Sequence, residues 1–303
     1  MTIISIRIRY HNAHALVEIL MCTDQRAAKA AKISTTLVYT DDQGRLANQL
    51  FSHAHLLAFC LEHSPRFSLF NQSLAPFRQH LGRGTEVFGV PARPFTLVAR
   101  LLFARWSIRR FTKLIPPSTN SLARPDWLAR HRHVVLHGLR DCDASLLHRH
   151  REGVLERIAL RYHQELVDEI AARARSDCDY LIGVHIRHGD FRTFAGGALF
   201  VPTSDYARAM LEVKKSTPHR ISFLVCSDER RNEAEFPGLD VTIATGTSPA
   251  DDLTLLSRCN GVIGCHSTFA AWACFAGNIP LLPIESGMPA ATIREAAKEF
   301  WTR

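Results

Sequence analysis

From residue 180 to residue 300 the chain alternates short apolar runs with stretches of helical period, and this alternation restricts the fold more than any other feature. The apolar runs fall at 180–187, 221–226 (ISFLVC), 240–244, 261–264 and 279–283, each of strand length and too short for a helix. Helical stretches lie between and after them at 204–215, near 229–235, and at 250–258, 268–276 and 289–300. Short connections in strict strand–helix order require crossovers. Crossovers bring strands together in parallel, with helices on both faces of the sheet. The strands are nearly continuous in apolar residues, as strands covered on both sides are.

A second unit of this kind begins at TTLVYTDDQGRLANQLFSHAHLLAFCLEH. Residues 36–39 read as a strand and 41–45 as a glycine-containing turn. A helix then carries Leu46, Leu50, Ala54, Leu57, Ala58 and Leu61 on one face. HVVLHGL (133–139) reads as a strand, and 151–177 reads as one long helix joining two halves. The expectation is an α/β protein of two Rossmann-like domains, at 34–150 and 151–303, preceded by an N-terminal extension at 1–33. The 65–135 segment is rich in proline, arginine and aromatics and reads as loops with short helices. Within it, 94–117 (PFTLVARLLFARWSIRRFTKLIPP) reads as a basic amphipathic helix packed on the core with its charged face in water. The alternative is a helix lying peripherally on an anionic membrane.

The 303 residues carry a formal charge of +8, and arginine outnumbers lysine about fivefold. That balance suits nucleic acid, an anionic surface or a phosphorylated ligand. Nucleic acid is disfavoured: no known module occurs, and aromatics are not interleaved with the basic residues. The eight cysteines form no CxxC pair and several lie in apolar runs, so they read as reduced core thiols of a cytoplasmic protein. His11, Asn12 and His14 interrupt what would be the apolar core of a signal peptide, and no apolar run of membrane-spanning length occurs.

In parallel sheets ligands bind beyond the carboxyl ends of the strands. The polar clusters of this chain fall at those ends. His185, Arg187, Gly189 and Asp190 close the 180–187 strand, and Asp228 follows ISFLVC. Ser267, Thr268 and Phe269 open a helix after GVIG, Asp252 opens the helix before it, and Arg45 and Asn48 open the first helix. Read together they suit a nucleoside diphosphate. An arginine fork binds phosphate oxygens, a helix N-terminus offers free N–H groups, and a carboxylate accepts from base or ribose. His185 and Arg187 share one face of their strand. The competing reading of Arg187 is an ion pair with Asp190. Neither GxGxxG after a strand nor GxxxxGK[ST] occurs, and no Asp-x-Asp follows a strand, so a metal site is not expected. His53 and His55 are two apart on a helix and do not share a face. His131, His133 and His148 show no ligand spacing.

Three of these segments resemble the fucosyltransferase superfamily, which includes bacterial alpha-1,2-fucosyltransferases and protein O-fucosyltransferases. They are GRLANQLFSHAHLLAF, GVHIRHGDF and DDLTLLSRCNGVIGCHSTFAAWACFAG, and they occur in the family's order. The resemblance implies a GT-B-type glycosyltransferase of two Rossmann-like domains that inverts at the anomeric carbon and uses no metal or other cofactor, GDP-fucose being a substrate. It implies that Arg187 meets the β-phosphate with His185 beside it. It also implies that Asp252, Ser267, Thr268 and Phe269 line the GDP site, and that Arg45 and Asn48 approach from the other domain. The acceptor is expected to be a glycan, and a lipid-linked one would suit the 94–117 segment. Two positions depart from the family: Ala47 stands where glycine is usual, and His188 where arginine is frequent. Asp190 is the nearest candidate for a base, with a loop or ion-pair role as its alternative. The other readings are transfer from a different GDP-sugar, a non-catalytic relative that binds GDP-sugar, and a basic nucleic-acid-binding protein.

Overall fold

The computed structural model describes residues 35–39, 44–64, 66–71, 73–82, 86–87, 90–91, 113–115, 122, 125–130, 133–136 and 143–301. The expected extension at 1–33 and most of the 94–117 segment lie outside them. The chain divides into two units. The first takes Ser52–Arg78, Arg83–Ala159 and the described residues before Arg45. The second takes Arg45–Phe51, Gln79–Gly82 and Leu160–Arg303.

The first unit is built on a parallel sheet of order β2-β1-β6-β5. Its strands are β1 (Thr35–Tyr39), β2 (Phe67–Asn71), β5 (Lys113–Ile115) and β6 (His133–Leu136). Between β2 and β5 lies an antiparallel pair, β3 (Glu86–Val87) and β4 (Val90–Pro91). Helix α1 (Leu46–Glu62) follows β1 and buries Leu46, Leu50, Ala54, Leu57 and Ala58. His53 and His55 are buried too, and His53 Nδ1 lies 3.2 Å from Asn71 Nδ2. The segment read as loops and short helices thus holds four strands, β2 to β5. Lys113–Ile115, expected within a helix, instead pairs with β6. Strands of two or three residues are too short to show a period, so register with a neighbour decides them.

The second unit is an all-parallel sheet of order β11-β10-β7-β8-β9. The strands are β7 (Tyr180–Ile186), β8 (Ile221–Ser227), β9 (Val241–Ile243), β10 (Gly261–Gly264) and β11 (Leu281–Pro283). The major helices are α2 (Gln164–Ala174), α3 (Thr203–Lys215), α4 (Pro249–Ser257), α5 (Thr268–Gly277) and α6 (Ala290–Ala297). One face of the sheet packs Ile182, Val184, Ile186, Phe223 and Val225 against Tyr206, Met210 and Val213 of α3 and Ile293 of α6. The opposite face meets α4 and α5: a Cβ on Gly183 would lie 2.8 Å from Leu256, and His185 stacks on Phe269. The centre of the sheet is therefore covered on both sides, which explains its unbroken apolar strands.

Two helical expectations change. The 151–177 stretch is two helices, Arg151–Leu155 and Gln164–Ala174. Between them Leu160 bridges Leu81, and Arg161 N donates to His80 O. Asp251 accepts from His163 N at 2.6 Å and lies 3.0 Å from its Nδ1. These tertiary bonds hold His163 at an extended φ of −85° and ψ of 94°, which no continuous helix permits. Near 229–235 only the 3₁₀ turn Glu233–Glu235 forms, because the side chains before it are drawn into the loop network at the ends of β7 and β8. Among the described residues no helix is long and apolar enough to cross a membrane. Six described cysteines are free, and Cys226, Cys259, Cys265 and Cys274 are buried.

Candidate functional site

The strand order of the second unit reverses between β7 and β10. The chain runs from β7 outward through β8 and β9, then returns to add β10 and β11 on the other side. Such a switch point leaves a crevice at the carboxyl ends of the two central strands, because their connections leave in opposite directions. His185 and Arg187 stand at the end of β7, and Ser267 and Thr268 follow β10.

His185 is nearly inaccessible and stacks on the Phe269 ring, with centroids 4.6 Å apart and planes 18° from parallel. Burial, with a smaller contribution from the Arg187 charge, pushes its pKa down to about 3, so the ring is neutral at working pH. Its Nδ1 is buried without a hydrogen-bond partner. Arg187 donates from Nε and Nη2 to the two oxygens of Asp190, at 3.0 and 2.8 Å. The guanidinium also lies 4.4 Å over the centroid of the buried Phe191 ring, and its side chain is 13% exposed. Among the described residues no group accepts from Nη1. Arg45 Nη2 reaches the same Asp190 carboxylate at 3.4 Å. The hydrogen bonds from Arg187 lead in holding that carboxyl below its ordinary range, so Asp190 is a weaker base than a free aspartate.

Ser267 caps α5: its hydroxyl accepts from Phe269 N at 3.1 Å. Thr268 donates from Oγ1 to Asn48 Oδ1 at 2.6 Å. Phe51, one turn further along α1, packs edge-on against Trp272 of α5 with centroids 5.2 Å apart. Arg45 and Asn48, expected to come from the other domain, instead lie in a segment that groups with the second unit itself. Ala47 lies in the first turn of α1 and is not left-handed. The positive φ nearby, 86°, belongs to Gly44, so alanine at 47 strains nothing.

Asp228 and Asp252 join this group only indirectly. Asp228 Oδ1 accepts from His188 N at 2.9 Å, and a Cβ on Gly189 would come within 2.8 Å of Oδ2, so any larger residue there would push this carboxylate aside. Asp252 lies near the Thr247 hydroxyl and the Cys226 thiol, and its Oδ1 is buried without a partner. Cys226 is the register partner of His185 on the adjacent strand. Burial leads in raising the Asp252 pKa to about 6.

The sequence did not single out the charge network behind the β7 loop. His188 is buried, with Nε2 2.8 Å from Val201 O and Nδ1 2.8 Å from Arg231 Nη2. Arg231, Glu229 and Arg192 extend the network. Nothing local distinguishes Arg231 from Arg230 beside it. The one available signal was His188 itself, a departure from the family pattern in the middle of its motif.

The two parallel sheets with helices packed on them are the fold of the GT-B class of glycosyltransferases. The chain belongs to glycosyl transferase family 11, whose model matches residues 3–295. It is 28% identical over 173 residues to the galactoside 2-alpha-L-fucosyltransferase Sec1 of Mus musculus, covering 50% of this chain and 45% of that one. It thus aligns with about half the length of this curated relative. The fold is similar to that of the fucosyltransferase NodZ from Bradyrhizobium, with a TM-score of 0.54 at 19% identity, over 84% of this chain and 97% of that one. It is also similar to POFUT1 in complex with GDP, with a TM-score of 0.53 at 12% identity, over 86% and 100%. A NodZ alpha-1,6-fucosyltransferase crystal soaked with GDP-fucose gives 0.52 at 19%, over 83% and 95%. At these identities the structures bear on fold, and they agree with the two-sheet α/β reading of the sequence.

Proposed function

We propose that the protein transfers fucose from GDP-fucose to a glycan hydroxyl, with inversion and without a metal. The observation that carries this is the Arg187 guanidinium. It is largely desolvated at the switch point, held in place by Asp190 and Phe191, and Nη1 is left for an anion. In the reaction the bond from the anomeric carbon to the β-phosphate oxygen breaks and its electron pair leaves with GDP. A bond from the acceptor oxygen forms on the opposite face, and the acceptor hydroxyl loses its proton. Negative charge grows on the departing phosphate as positive charge spreads over the sugar ring. Fixed cations aimed at that phosphate therefore stabilise the transition state more than the ground state. Arg187 and Arg45 are suited to this, with Ser267, Thr268 and the N-terminus of α5 beside them for further phosphate oxygens. His185 and Phe269 form the apolar wall behind it. Asp228 and Asp252 are the carboxylates assigned to base or ribose groups.

The test is turnover of GDP-fucose by purified protein with a panel of glycan acceptors, with GDP-mannose as the control donor and EDTA as the metal control. Arg187→Ala should cut transfer about a hundredfold or more while the protein stays folded. EDTA should leave the rate unchanged. A rate in Arg187→Ala above about a tenth of wild type overturns the phosphate role, and faster use of GDP-mannose reassigns the donor.

A further inference from the structure

The Arg231 side chain is only 7% exposed, and each of its five N–H groups has an acceptor. Nε donates to Ser227 Oγ at 3.0 Å. Nη1 donates to Thr203 Oγ1 at 3.2 Å and to Glu235 Oε2 at 3.3 Å. Nη2 donates to His188 Nδ1 at 2.8 Å and to Glu229 Oε2 at 2.9 Å. One side chain thus ties the end of β8, the start of α3, the Glu233–Glu235 turn and the loop after β7.

The bond to His188 has a definite sense. Arginine can only donate, so His188 Nδ1 accepts, and the ring proton sits on Nε2 and goes to the Val201 carbonyl. Both ring nitrogens are used. The backbone of His188 is fixed as well: its N–H donates to Asp228, and its carbonyl accepts from Arg192 N at 3.0 Å. Arg192 in turn pairs with Glu229, the carboxylate that Arg231 also holds. His188 therefore has no freedom to turn or shift, and it is covalently next to Arg187.

We propose that Arg231 is a positioning residue for the phosphate site: through His188 it fixes the loop that presents Arg187 and Asp190. This rests on the reading of Arg187 as the diphosphate ligand. It adds a cation to the recognition machinery that never touches the donor. A bare ammonium substitutes only in part, because lysine has three donors at one point where five acceptors lie in a fan around the planar group.

The experiment is calorimetric titration of the full-length protein with GDP, reading the dissociation constant and the stoichiometry separately. Arg231→Gln should raise the dissociation constant about tenfold with the stoichiometry unchanged, since a displaced arginine binds weakly in every molecule. Arg231→Lys should fall between it and wild type. In a His188→Ala background, Arg231→Gln should cost little more, because the path from 231 to the loop is already cut. A merely structural role would instead lower the stoichiometry, through loss of folded protein, and leave the dissociation constant of the remainder intact. That result overturns the inference, as does an unchanged constant in Arg231→Gln or full additivity with His188→Ala. Absence of GDP binding by the wild-type protein would instead refute the underlying functional reading.

Discussion

Asp252 should make the protein less stable as the pH rises, and Asp252→Asn should remove that dependence. Burial outweighs the lowering influence of the nearby Thr247 and Cys226 side chains and raises this carboxyl from 3.8 to about 6. An acid with a raised folded value keeps its proton in the folded protein at pH values where the unfolded chain has released it. The folded state then binds more protons, so stability falls as the pH climbs from roughly 4 through 6 and levels off above that. A rise of about two units corresponds to about 3 kcal/mol in all, of which about half is lost between pH 5 and pH 8. Asparagine keeps the shape and cannot ionise. The measurement is urea unfolding of wild type and Asp252→Asn at four pH values across that range, followed by circular dichroism. The other titrating groups cancel in the difference between the two proteins. That difference should move in favour of the variant by about 1.4 kcal/mol from pH 5 to pH 8. Any cost of the unpaired amide displaces the curve without tilting it. A difference that stays flat would mean that Asp252 is already ionised in the folded protein at pH 5, and the burial argument would be wrong.

Two other perturbations follow from backbone geometry. Gly277 ends α5 where it touches α4: a Cβ there would overlap the Ser257 carbonyl oxygen and lie 3.0 Å from its carbon. Gly277→Ala should destabilise by about 3 kcal/mol, the upper end for overpacking because the obstacle is backbone, and a wild-type thermal midpoint would refute the close approach. Ala195 sits at φ 50° and ψ 37° in the turn that carries the exposed Phe194. Ala195→Gly should stabilise by about 0.5 kcal/mol, the relief of left-handed strain less the entropy of glycine, and a lowered denaturant midpoint would contradict it.

The second unit was legible because its strands are central. β7, β8 and β10 are buried on both faces, so each is an unbroken apolar run whose polar end marks the carboxyl edge. The sequence alone therefore puts His185, Arg187 and Ser267 at one edge of the sheet. What stayed hidden was set from far along the chain. The break at His163 depends on Asp251, 88 residues later, and no local pattern announces it. The Arg231 side chain is largely covered and its neighbour Arg230 is exposed, yet the two look alike in sequence. β3, β4 and β5 have too few residues to show any period. The ion pair of Arg187 with Asp190 was foreseen as the competitor of phosphate binding. The geometry makes it the device that holds the guanidinium still.

The grouping of Arg45–Phe51 with the second unit bears on how the protein is made. A chain synthesised from its N-terminus presents Asn48 and Phe51 long before their partners Thr268 and Trp272 exist. At about 5–20 residues per second, the ribosome needs on the order of ten to forty seconds to add the 220 residues that separate Asn48 from Thr268. During that interval the first residues of α1 lack the surface against which they pack. The second unit is therefore complete only when residues from both ends of the chain meet, and a fragment beginning at Leu160 would leave bare the face of Trp272 that Phe51 covers.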